Sequence, residues 1–127
     1  MLRAAICAFS LLFIVPAGAQ ERPMGKTTML QRAPVEGAPD RELFVMRAEW
    51  PPGSGTPPHT HPGDEIGTVL EGSYELREAA GEWRTLKAGD SWRTPAGVVH
   101  ETRAPESART INVFIVQKGF PLILPVK

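Results

Sequence analysis

Glycine and proline interrupt this chain so often that it has little room for anything but short extended segments. There are 13 prolines and 12 glycines in 127 residues, and turn signals recur every eight to twelve residues. Proline fixes φ and removes a backbone donor, so it ends or bends most regular elements. No long segment keeps a helical period, and no repeat, heptad or low-complexity tract is visible. The intervening stretches at residues 29–32, 43–50, 66–70, 74–78, 83–86, 91–94, 98–103 and 110–117 read as strands. Pro34 is expected to end the first of them, and Glu71, Gly72 and Ser73 are read as a turn that sends residues 74–78 back. Many short, evenly spaced strands predict an all-β sandwich or barrel, and closure into a barrel removes their exposed edges. The apolar tail Phe120, Pro121, Leu122, Ile123, Leu124, Pro125, Val126 has two open readings: it covers the barrel's open end, or it packs against a second subunit in a homodimer.

The amino-terminal segment is set apart from this pattern. Arg3 supplies a positive start, residues 4–15 are almost wholly apolar, Pro16 breaks the run, and Ala17, Gly18, Ala19 form an A-x-A site. That layout predicts a secretory signal peptide over residues 1–19, since the apolar run is too short to span a bilayer comfortably. Residues 20–28 are then expected to be a flexible lead-in and residues 29–127 the β-barrel domain. The only cysteine, Cys7, leaves with the signal, so no disulfide or thiolate ligand is expected in the mature chain. A periplasmic or secreted location follows from these expectations. Lys and Arg total 14, as do Asp and Glu, with no run of like charge. Neither nucleic acid nor, once the signal is removed, a membrane surface is an expected partner.

Chemistry concentrates in the three histidines. His59 and His61 alternate across Thr60, so on an extended strand both rings face one side. Pro62, Gly63 and Asp64 then turn the chain and bring Glu65 to the head of the next strand. His100 lies far along the sequence, after Pro95, Ala96 and Gly97, and can join the others only if the sheet closes on itself. Imidazoles with one carboxylate and no thiolate suit Mn, Fe, Co, Ni, Cu or Zn better than Ca or Mg. The plain alternative makes these histidines solvated turn residues, which leaves the placement of His100 a coincidence.

From Gly53 through His59, His61 and Glu65 to Gly72, the chain resembles the first cupin motif, G-xxxxx-H-x-H-xxx-E-xxxxxx-G, at every position. From Gly89 through Pro95 and Gly97 to His100 it resembles the second, G-xxxxx-P-x-G-xx-H, with Ala104 where the family usually has Asn. Sixteen residues separate the two motifs. The resemblance implies a single cupin β-barrel, the double-stranded β-helix or jelly roll, holding one divalent transition metal through His59, His61, Glu65 and His100. It also implies a small-molecule substrate or ligand at the metal in the barrel mouth. Val98 and Thr102 would share the strand face of His100. Tyr74 or Trp92 would form a wall, core packing being the simpler role for each. Arg93 is a candidate for a substrate carboxylate, with a solvated surface position as the plainer reading.

Two functions stay open on this reading. One is a metal-dependent enzyme of dioxygenase, isomerase or lyase type with Glu65 as catalytic base; the other is a non-catalytic binder of a metal or small ligand. No nucleophile elbow, P-loop or dinucleotide fingerprint is present. With all three histidines assigned to the metal, none remains for a Ser-His-Asp triad.

Overall fold

A computed structural model of the chain describes residues 22–126. The predicted signal peptide therefore lies outside the described residues. Nine strands and no helix are present among them: β1 (Lys26–Val35), β2 (Ala38–Trp50), β3 (Ser54–Thr60), β4 (Gly63–Glu78), β5 (Arg84–Lys87), β6 (Ser91–Thr94), β7 (His100–Ala104), β8 (Ala108–Gln117) and β9 (Leu124–Pro125). The all-β barrel predicted from the sequence is what forms.

The strands make two facing layers joined through one long strand. The order β1-β2-β8-β4 continues through β4 into β7-β3-β9, while β5 and β6 flank β4. All pairings are antiparallel. The first part of β4, Gly63 to Gly72, pairs with β8, and the second part, Ser73 to Glu78, pairs with β5 and β7. One strand thus belongs to both layers.

This corrects the reading of Glu71, Gly72 and Ser73 as a reversing turn. The chain does not run back there; it bends, with a register shift between Val69 and Glu71 and Gly72 at φ +75°. Sequence alone cannot separate a corner from a reversal, because both ask for glycine at positive φ. Two smaller differences concern the first strand. It begins at Lys26, three residues ahead of Met29, and continues past Pro34 to Val35, which the exposed edge position of β1 allows. Residues ahead of it are fastened: the Gly55 N–H donates to the Pro23 carbonyl, and Gly25 lies against the Trp50 ring.

The core fills one end of the barrel. Trp50 and Trp92 pack either side of Tyr74, with ring centroids 5.1 and 5.3 Å away, and Val69, Leu76 and Leu86 complete the plug. Alternation along β8 is strict: Ala108, Thr110, Asn112, Phe114 and Val116 point inward. The apolar tail returns over the same barrel, where β9 pairs with β3 at His59 and Thr60. That is the covering role of the two readings, and Phe120 and Val126 stay exposed on its outer side.

Gly37 and Gly72 offer a matched test of the corner. Both have positive φ, but a β-carbon would meet nothing at Gly37, whereas at Gly72 it would run into the Ser107 carbonyl. Gly37→Ala should cost about 1 kcal/mol for its backbone conformation, and Gly72→Ala roughly 3 kcal/mol or more. Urea denaturation of the two variants checks the difference.

Candidate metal centre

The register of β3 against β7 brings the distant histidine home. His59 and His100 are direct cross-strand partners, although 41 residues separate them in sequence. His61 follows immediately after β3, and Glu65 lies on β4 opposite Phe114 of β8 and Thr94 of β6. The second motif is tied to the first at two points. The Gly97 N–H donates to the His61 carbonyl, and the Ala96 N–H donates to Asp64 Oδ1. All four residues are buried, His100 most completely.

Each imidazole is oriented by the main chain. His59 Nδ1 donates to the Pro57 carbonyl at 2.8 Å, His61 Nδ1 to Leu122 at 2.6 Å, and His100 Nδ1 to Val98 at 3.0 Å. A carbonyl oxygen only accepts, so every Nδ1 carries its hydrogen and every neutral ring keeps its Nε2 lone pair free. One ring nitrogen from each histidine lies within 4.8 Å of the others. Glu65 Oε2 stands 3.3 Å from His100 Nε2 and 3.6 Å from His61 Nε2. The three histidine nitrogens are a donor set that fits a transition-metal dication, and the Glu65 carboxylate stands beside two of them.

A buried hydrogen-bond chain fixes the carboxylate. Trp50 Nε1 donates to Thr110 Oγ1, whose hydroxyl donates to Asn112 Oδ1, and Asn112 Nδ2 donates to Glu65 Oε1 at 2.7 Å. One Glu65 oxygen is thereby engaged and the other left facing the histidines. Burial would raise the Glu65 pKa, but contacts with His100 and His61 outweigh it and hold the carboxyl well below its usual range. Burial keeps His59 neutral, with its pKa lowered to about 4. For His100 burial again works against charge, yet the Glu65 carboxylate prevails and raises the pKa above 6.5. Tyr74, fully buried, is pushed far up by burial and stays protonated.

A cavity of about 110 Å³ opens onto the histidines and Glu65. Tyr74 and Thr102 form part of its wall, as the sequence suggested, with Tyr74 also serving the core plug. Trp92 and Val98 do not reach it; Trp92 is a core residue behind Tyr74. Arg93 is exposed and bonds Asp64 Oδ2 at 2.6 Å. It fastens the neighbourhood of the second motif from outside. Sequence reasoning missed Asn112, Thr110 and the Leu122 carbonyl. The polar pair had a signal, since alternation along residues 110–117 turns Thr110 and Asn112 inward with Phe114, and a polar residue on a core face asks for a partner. The Leu122 carbonyl had none, because any residue offers one.

Comparison with known proteins agrees with this geometry. A family model described as a cupin domain matches residues 46–116. The uncharacterized protein YdbB of Bacillus subtilis (strain 168) is 41% identical over 61 residues, 47% of this chain and 52% of that protein. The chain thus spans about half the length of that curated relative. A cupin superfamily protein from Desulfitobacterium hafniense DCB-2 superposes with a TM-score of 0.64 at 15% identity, over 79% of this chain and 84% of the other, a likeness of fold. The DMSP lyase DddQ from Ruegeria pomeroyi DSS-3 superposes with a TM-score of 0.65 at 26% identity, over 80% of this chain and 51% of that one.

Two outcomes are expected. Asn112→Leu, which leaves Glu65 Oε1 and the Thr110 hydroxyl without their partner, should weaken metal affinity roughly 10- to 100-fold in a chelator competition while the fold persists. Protons compete with a metal for neutral imidazole. As pH falls, His100 with its raised pKa takes a proton before His59, whose pKa is lowered to about 4, so apparent affinity should fall as pH falls. Calorimetric titrations between pH 8 and 5 test the sign.

Proposed function

This chain belongs to the cupin family, and we propose that it is a metal-dependent enzyme that acts on a small oxygenated molecule held at His59, His61, Glu65 and His100. The observation that carries the reading is the convergence of three backbone-oriented Nε2 atoms and Glu65 Oε2 at the floor of one cavity. A bound Mn, Fe, Co, Ni, Cu or Zn ion would supply Lewis-acid polarisation of a substrate oxygen, or redox chemistry where the ion allows it.

The protein's own residues set up the rest. Asn112 holds Glu65 so that Oε2 faces the reacting region, and Glu65 enters the reaction as the anion. In a base-assisted elimination, Oε2 would take a proton from a carbon beside the substrate carbonyl. The released electron pair would form a double bond as the leaving group departs with its own pair. The likeness to a DMSP lyase supports this class. Tyr74, kept protonated with its hydroxyl on Thr102, would form part of the wall, while Met24, Leu122 and Ile123 would limit water. Residues 1–19 support export, which would place the reaction in the periplasm or outside the cell, where the ion is acquired.

A second reading, a non-catalytic binder of a metal or small ligand, is favoured by one feature. Beyond the four proposed ligands, Tyr74 is the only titratable side chain among the described residues that lines the cavity. Metal analysis comes first. After loading with each ion in turn, wild type should hold about one ion per chain, His59→Ala and His100→Ala none, and Arg93→Ala the wild-type amount. Equal content in wild type and the histidine variants ends the metal reading. Turnover of β-substituted carboxylates then separates enzyme from binder, with Glu65→Gln expected to lower it roughly 100-fold or more.

A further inference from the structure

We propose that the cavity selects ligands with one oxygen-donor group and a short uncharged body, singly anionic or neutral, and discriminates against dianions and polyols. The inference rests on the metal reading above and concerns which chemistry that site accepts.

Charge is the first ground. Among the described residues Glu65 is the only acidic side chain lining the cavity, and no Lys or Arg lines it. Three arginines are held in ion pairs outside it, Arg77 with Glu101, Arg93 with Asp64 and Arg103 with Glu75. Arginine is the usual means of gripping a carboxylate by two parallel bonds, and here none is turned inward. A dication with the Glu65 carboxylate leaves one net positive charge. One monoanion neutralises it, whereas a second ligand charge would meet no cation on the described cavity wall.

The polar groups are the second ground, because all of the described ones but Thr27, on the exposed edge strand β1, already satisfy one another. The Thr56 and Thr102 hydroxyls bond at 2.8 Å, Thr102 Oγ1 accepts from the Thr56 N–H, and Tyr74 bonds Thr102. Asn112 is engaged at both ends, by Thr110 and by Glu65. A polyol needs several free donors and acceptors at fixed positions, and these have been used.

Size and wall are the third ground. At about 110 Å³ the cavity is well below the roughly 300–1,000 Å³ typical of drug-sized ligands. Met24, Gly25, Leu122 and Ile123 line it. The segment at Leu122 cannot swing away cheaply, since its carbonyl holds His61 Nδ1. A short apolar body therefore meets a wall fastened to one of the histidines.

Cobalt(II) provides a probe with a readout independent of turnover, since its visible absorption reports each change in its ligands. Wild-type protein loaded with cobalt would be titrated with butyrate and with succinate, which share four carbons but carry one and two charges at pH 7. Butyrate should shift the spectrum and bind at least 10-fold more tightly than succinate, with galacturonate as weak as succinate. Ile123→Arg places a cation at the rim, where Ile123 is 42% exposed, and should narrow or invert the preference. Succinate or galacturonate binding as tightly as butyrate overturns the inference, as does an Ile123→Arg variant with the wild-type preference. A wild type that takes up no cobalt overturns the metal reading itself, and this inference with it. Cobalt bound without discrimination overturns this inference alone.

Discussion

Three main-chain carbonyls decide what this barrel can do. Those of Pro57, Val98 and Leu122 each take the Nδ1 hydrogen of one histidine and so commit all three rings to the same tautomer and direction. Backbone acceptors cannot rotate away, and they accept without ever donating. The ring nitrogens that face one another therefore do so because strand ends and a returning tail are where they are. The two close-lying histidines draw on carbonyls far apart in the sequence, Pro57 and Leu122, and the chemistry is inseparable from the topology.

The barrel divides its interior by polarity. At one end Trp50, Tyr74 and Trp92 stack with aliphatic side chains and exclude water. At the other, four ionisable groups share a buried space, which would be costly without compensation. Compensation comes as a connected network: Glu65 is answered by His61, His100 and Asn112, and Asn112 in turn by Thr110 and Trp50. Trp50 and Tyr74 face both halves. Trp50 caps the polar chain with its indole N–H, and Tyr74 reaches Thr102 with its hydroxyl.

Much of this was legible in the sequence because the signals were local. Turn residues set the spacing of the strands, and the alternation of His59 and His61 set a shared face. The one long-range expectation, that His100 joins them, succeeded because the two motifs imply closure. What escaped was non-local or degenerate. Gly72 satisfies a reversal and a corner equally, and only pairing with β8 on one side and β7 on the other shows that β4 continues. Arg93 had the chemistry to bind an anion, but Asp64, one residue before Glu65, claims it on the outer surface. The support given by Leu122 to His61 leaves no trace in residue type.

The pairing of His59 with His100 has a consequence in time. The chain between β3 and β7 passes through both layers, so their contact carries a loop-closure cost that local hairpins do not. An ion held by residues on both sides of that junction would recognise the closed barrel. Its binding energy would then act as a latch, felt mainly in how slowly the native state opens, with the rate of first closure left to the strands themselves.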